Sequence, residues 1–258
     1  MSVQSAAQIK NINRELILWE KTRLQKNLIR HSSQVLIAAL NEEKGIGPTI
    51  TEFSAIMKTR FLVVDGNSHD GTADIAKNLG AKVLFQDGTG KGDAVMKGLK
   101  HLEPKTKYVV LTDADYTYPA DSVPQMIRIL EDNPDVGMVS GNRFSGNIEG
   151  DAFWGSFPAG NRLLAFAHKL FNGIFLTDPL TGLRVIRAGI LRKWKIKSKG
   201  FDMEVELNSE VKKQGFDTIE VPIRYRARLG DKKLRVKDGV NILKRILLES
   251  AHAIVKSS

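Results

Sequence analysis

The 258-residue chain contains no cysteine, which excludes disulfides, zinc–thiolate centres and thiol catalysis but leaves its compartment undecided. No run of about 18 apolar residues occurs, so no segment is expected to span a membrane. The N-terminus is mixed in charge and has no apolar signal core, which predicts a cytosolic chain able to rest on a surface. Aromatic residues are only 7% of the chain and rarely interleave with its basic patches. With no helix-turn-helix or RNA-recognition signature either, a non-catalytic nucleic-acid-binding domain remains only a second alternative, and no nucleic-acid partner is expected. A Walker loop, G-x-x-x-x-G-K-[S/T], is missing, and no G-x-G-x-x-G loop follows the first strand.

What is present is cationic. A net charge of +10 and a pI near 9.7 call for a polyanionic partner: nucleic acid, anionic headgroups or phosphorylated substrates. Hydrophobic content of 42% and charged content of 26% are ordinary for a globular protein, and 258 residues fit one large α/β domain or one domain with additions.

Residues 4–30 place Ile9, Ile12, Leu16, Trp19, Leu24 and Leu28 at helical spacing among Lys and Arg. That predicts an amphipathic helix, either packed on the domain or lying on a membrane or partner. Buried strands are predicted at Val35–Leu40, Phe61–Asp65, Ala81–Phe85 and Tyr108–Thr112, with helices near 73–79 and 93–101 between them. The alternation argues a parallel, doubly wound sheet with right-handed crossovers. A strand at Val136–Ser140, helices at 160–174 and 202–213, a strand at Thr218–Arg226 and an amphipathic helix at 238–256 complete the reading.

The chain is organised around Tyr108-Val-Val-Leu-Thr-Asp113-Ala-Asp115-Tyr-Thr-Tyr-Pro119. Four apolar or β-branched residues deliver two carboxylates to a strand's C-terminal end, where open α/β sheets bind ligands. Two carboxylates so placed repel each other unless a cation is near, and one or two carboxylates plus phosphates commonly hold Mg²⁺. Alone, the pattern is more often that of an ordinary Asp-rich turn. The loop Gly88-Thr-Gly-Lys-Gly92 reads either as a phosphate cradle or as a flexible turn.

The order of motifs is more specific. A strand ending in Asn41-Glu42, then V-V-D-G-x-S-x-D-G-T, G-K-G-D-A and D-A-D, resembles the nucleotide-sugar domain of inverting family 2 glycosyltransferases with the GT-A fold. G-N-R-F, T-D-P-L-T-G-L-R and R-x-G-x-K-K-L are similar to the branch containing dolichol-phosphate mannose and glucose synthases. The resemblance covers roughly 33–236. It implies a Rossmann-like, mostly parallel sheet flanked by helices: a nucleotide-sugar half at 33–120, an acceptor half at 121–236, and amphipathic helices at 1–32 and 237–258.

By the same resemblance, Asn41, Glu42 and Asp65 border the base and ribose, with Ala39 and Ala114 among the donor contacts. Lys91, Gly92 and Asp93 lie beside that pocket. Asp113 and Asp115 are the metal-bearing carboxylates, for Mg²⁺ or Mn²⁺ bridging to the diphosphate. Thr117 stands where the dolichol-mannose members often have Gln. Arg143 and Arg162 clamp the phosphate of a polyprenyl or dolichyl acceptor, and Phe166 replaces a serine of some relatives. Arg228 and Lys233 belong to a mobile loop closing on the diphosphate. Asp178 and Arg184 read as acceptor-site residues or as an internal ion pair; Glu204 and Glu206 read as a solvated or structural helix face.

An ionised phosphate acceptor needs no general base, so positioning and charge carry the transfer. The alternative is a related transferase with a soluble or glycan acceptor and a base drawn from Glu204 or Asp178. Residues 163–176 form either a core helix or a segment dipping into a membrane interface, which would place the enzyme peripherally on the cytoplasmic face.

Overall fold

The computed structural model describes residues 32–57, 59–149, 158–233 and 236–255. The N-terminal helix expected at 4–30 lies outside them. In the first half, β1 (Ser33–Ala39), β2 (Arg60–Asp65), β3 (Lys82–Phe85) and β4 (Tyr108–Asp113) run parallel. They alternate with α1 (Glu43–Met57), α2 (Thr72–Asn78) and α3 (Lys91–Lys100). Val35-Leu-Ile, Leu62-Val-Val and Val109-Val-Leu are buried on both faces, the environment that continuous aliphatic runs fit.

The second half adds α4 (Val123–Asp132), β5 (Val136–Asn142), α5 (Pro158–Asn172), β6 (Arg184–Arg187), α6 (Ala188–Lys193), α7 (Met203–Lys213), β7 (Asp217–Pro222) and α8 (Val236–Val255). Pro222 ends β7 four residues before the predicted boundary, since proline cannot donate to a ladder. α4 is an addition to the sequence reading, with Pro124 in its first turn and Val123, Met126, Ile127 and Leu130 buried.

Among the described residues the sheet has seven strands, ordered β3-β2-β1-β4-β6-β5-β7. It is mostly parallel; β6 alone among them runs antiparallel to both its neighbours, β4 and β5. One face packs α1 and α4 through Ile50, Phe53, Met126 and Ile127. The other packs α3, α6 and α7 through Val95, Leu191, Met203 and Leu207. Each such side chain contributes roughly 1.5–3 kcal/mol on burial. A smaller cluster, Leu164, Ala167, Val205, Ile242 and Ile246, joins α5 and α8 to α7. β1 to β3 progress to one side of the sheet and β4 lies on the other side of β1. That switch point opens a crevice at the strands' C-terminal ends.

Candidate active site

The crevice is a cavity of about 750 Å³. Of the expected site residues, Ala39, Glu42, Lys91, Asp113, Ala114, Asp115, Arg143, Arg228 and Lys233 line it. Asn41, Asp65, Gly92, Asp93, Arg162, Asp178 and Arg184 are not on its wall.

β4 carries the acidic pair there because its register with β1 sets Asp113 beside Ala38. Asp115 is nearly buried; its Oδ1 accepts the Thr117 N–H at 3.1 Å and the Thr117 hydroxyl at 2.7 Å. Burial, reinforced by the Asp113 charge, pushes the Asp115 carboxyl above the usual carboxylate range, while Thr117 and Arg228 oppose the rise. Thr117 thus orients Asp115. A Cβ on Gly182 would lie 2.3 Å from Asp113 Oδ2, so T-D-P-L-T-G-L-R needs glycine there to admit the carboxylate.

Lys91, the first residue of α3, donates to Asp113 Oδ1 and Glu204 Oε1, both at 2.7 Å. Burial disfavours its charge, but the two carboxylates outweigh that and hold the ammonium above the ordinary lysine range. Glu204 is 4% exposed, so the face of α7 read as solvated or structural is buried and structural. Glu206 is buried too, and accepts the Lys197 and Ser198 N–H groups at 2.8 and 2.7 Å.

In the glycine loop, the N–H groups of Gly88 and Gly92 are turned to protein acceptors and not to the cavity. Gly92 N–H donates to the Lys199 carbonyl at 2.8 Å, and a Cβ on Gly92 would meet the Ser198 carbonyl oxygen at 2.1 Å. Gly90 and Gly92 serve close packing against residues 198–200, and Gly88 sits against Asp93.

The basic loop of residues 226–233 lies over the cavity. Arg226 and Leu229 N–H groups donate to the carbonyls of Thr117 and Asp115 at 3.0 and 2.9 Å. Arg228 pairs with Glu42 at 2.6 Å and approaches Asp115 at 3.6 Å; Lys233 is 3.7 Å from Glu42 and donates to the Asn41 carbonyl. Burial pushes the Glu42 carboxyl up to about 7, with Arg228 opposing and Asp115 adding to the rise. Arg226 stacks on Tyr116 at 3.7 Å; that tyrosine has φ 66°, an uncommon backbone for a bulky residue.

On the acceptor side, Arg143 grips Asp178 through Nε and Nη2, both at 2.7 Å, with Tyr225 packed against its guanidinium. Sequence reading offered Asp178 with Arg184 as an ion pair; Asp178 pairs with Arg143 instead. Arg184 is fully buried and donates to the carbonyls of Pro179 and Thr181 and to Asn208, which shapes the Thr177–Leu183 loop. Arg162 is exposed on α5. Asn41 braces the turn after β1, bonding Ser68 and His69. Asp65 is fully buried, its Oδ1 accepting the Ser68 N–H at 2.7 Å, and Asp93 accepts the Gly88 N–H. Tyr118, Phe201 and Tyr225, which the sequence reading did not single out, also line the cavity.

A mostly parallel sheet flanked by helices, with an acidic pair beside its switch point, is the GT-A architecture. The chain belongs to glycosyl transferase family 2, whose model matches residues 34–194. It is 34% identical over 208 residues to the dolichyl-phosphate hexose transferase of Haloferax volcanii, covering 78% of this chain and 85% of that one. It is 32% identical over 195 residues to glycosyltransferase AglJ of the same organism, a match covering 75% of this chain but 63% of that relative's length. The fold is similar, at TM-score 0.69 and 20% identity, to glucosyl-3-phosphoglycerate synthase from Mycobacterium tuberculosis in complex with Mn²⁺, UDP-glucose and phosphoglyceric acid, over 88% of this chain and 82% of that one.

Proposed function

We propose that this protein is an inverting glycosyltransferase that moves a sugar from a UDP- or GDP-linked donor to a polyprenyl or dolichyl phosphate. The observation that carries the reading is a single cavity joining the Asp113–Asp115 pair to the cations Lys91, Arg143, Arg228 and Lys233. An acidic pair ringed by cations suits a metal diphosphate beside a second phosphate.

Asp113 and Asp115 fit a divalent cation: both face the cavity, and burial, with the Asp113 charge added, disfavours the Asp115 carboxylate in a way that a cation would offset. Among the described residues no three acidic or His side chains converge into a closed cage. Diphosphate and water would complete the shell, as Mg²⁺ and Mn²⁺ allow. When bound, the ion offsets charge developing on the leaving diphosphate. The chain's own residues do the rest. Arg228 and Lys233, on the basic loop, exchange Glu42 for the diphosphate. Arg143, fixed by Asp178, orients the acceptor phosphate, a bidentate match that guanidinium suits better than ammonium does. With a second pKa of about 6 the phosphate is already ionised near neutral pH, and no base is required.

The acceptor would arrive from a membrane surface. α5 and the segment after it expose Leu163, Phe166, Leu170, Phe171 and Phe175, and α8 exposes Val240, Leu243, Leu247 and Leu248. No helix among the described residues is long and apolar enough to cross a membrane. We infer a peripheral enzyme on the cytoplasmic leaflet, whose negative surface potential attracts a chain of net charge +10.

The test is transfer of label from UDP-glucose, UDP-N-acetylglucosamine and GDP-mannose to a polyprenyl phosphate, with and without EDTA. Label should enter the organic phase with one donor and vanish with EDTA or Asp115→Ala. One observation favours a soluble acceptor instead: Glu204, a candidate base, lines the same cavity. Metal-dependent hydrolysis of one donor without lipid product would move the assignment there. Silence with every donor would sink both readings.

A further inference from the structure

Lys91 is paired with Asp113, one of the two carboxylates read as holding the donor's cation. Its ammonium is 2.7 Å from Asp113 Oδ1 and 2.7 Å from Glu204 Oε1, with the Phe201 ring 5.8 Å away. Its side chain is 15% exposed and that of Glu204 5%, so water screens these pairs poorly. The lysine is positioned by three elements: its own backbone at the start of α3, Asp113 at the end of β4, and Glu204 on α7. Glu204 Oε2 is buried without a hydrogen-bond partner, so this carboxylate has capacity to keep the ammonium if Asp113 lets it go.

A dication on Asp113 would sit against this ammonium and be repelled. A dication that arrives with a diphosphate brings its own anionic oxygens, which give Lys91 a new acceptor. We propose that Lys91 is a resident counter-ion that keeps free divalent cations off Asp113 and yields that carboxylate only to a cation carried with a nucleoside diphosphate. Metal and donor then bind as one unit. When the nucleoside diphosphate leaves, Lys91 returns to Asp113 and expels the ion. This inference rests on the metal–diphosphate reading of the cavity, and Lys91 acts in it as a positioning residue.

The test is Mn²⁺ binding by the full chain, followed by electron paramagnetic resonance with no nucleotide, with UDP and with GDP. The wild type should bind Mn²⁺ at least about tenfold more tightly with one nucleotide than without, a coupling of ordinary size. Lys91→Met should bind Mn²⁺ alone at least about tenfold more tightly than wild type and lose most of the nucleotide effect. Because Lys91→Met leaves Glu204 buried without its cation, Lys91→Met/Glu204→Gln is measured beside it and should shift the same way. Lys233→Met removes a cavity cation that does not touch Asp113, and should change free Mn²⁺ affinity by less than about threefold, since only a nearby charge is removed.

The proposal is overturned if neither Lys91 variant binds free Mn²⁺ more tightly than wild type. It is equally overturned if Lys233→Met tightens binding as much as Lys91→Met, because general charge would then explain the effect. Wild type taking up no Mn²⁺ with either nucleotide would overturn the metal–diphosphate reading itself, a distinct failure.

Discussion

Arg143 and Asp178 lie 35 positions apart and meet through two charge-assisted bonds where water is scarce, Asp178 being wholly buried. The Asp178 carboxylate also accepts the Arg143 N–H at 3.0 Å, so backbone and side chain are fixed by one group. Removing the cation alone leaves an uncompensated buried charge. Arg143→Ala is therefore expected to lose roughly 3–5 kcal/mol of stability in denaturant unfolding. Arg143→Met/Asp178→Asn keeps the volume and the backbone acceptor, and should recover most of that loss. Its transfer activity should stay low if Arg143 orients the acceptor phosphate as proposed, because no guanidinium would face it. Recovery of activity along with stability would show that Arg143 is a scaffold residue only.

At the scale of elements, α5 is tied to α8 through Asn172, which is bonded in turn to the buried His168. Asn172 donates to His168 Nδ1 at 2.9 Å and to the Ile246 carbonyl of α8 at 3.1 Å. Burial lowers His168 from the ordinary 6.5 to about 4, with the Arg184 and Lys212 charges adding to the fall. The unfolded chain takes up this proton near pH 6.5 and the folded chain only near 4, so the site loses stability as pH falls through that window. The expected loss is on the order of 2–3 kcal/mol by pH 4.5, with none at pH 7.5. His168→Asn, which keeps an acceptor for Asn172, should flatten the pH dependence of unfolding over that range. An unchanged slope would place the acid sensitivity elsewhere.

Elements differed in how far their sequences revealed them. β1, β2 and β4 were legible because a strand covered on both faces needs unbroken Val, Ile and Leu. β6 was not: four residues that begin and end with arginine look like loop, and their strand geometry comes from pairing with β4 and β5. α7 was legible as a helix, but its face was left open between solvated and structural. Every residue of Met203-Glu-Val-Glu-Leu-Asn-Ser is buried, because Lys91 and the N–H groups of residues 197 and 198 supply partners for its acids. The acidic pair was visible from its strand and spacing. Lys91 as its counter-ion was not, since that contact spans 22 residues and a helix start.

For the whole molecule, the distribution of greasy side chains makes the membrane reading testable. Phe166 and Leu170 are 63% and 64% exposed, so replacing both by Ser should leave folding stability within about 0.5 kcal/mol. The same change should cut partitioning onto anionic liposomes by about tenfold or more at low salt. Added salt should weaken wild-type binding further, as the basic surface is screened. Unaltered partitioning would assign that face to another use.

The antiparallel strand β6 has a consequence for hybrid enzymes. By position in the chain it belongs to the acceptor half, yet its register is set against β4, with Val110 opposite Val185 and Leu111 opposite Arg184. The segment leading into it also supplies Gly182, the residue that makes room for Asp113. A chimera that grafts residues 33–120 of one family member onto the remainder of another would therefore cut through the site instead of beside it. Recombination aimed at donor specificity has to carry residues 177–187 along with the first half, as one inherited block.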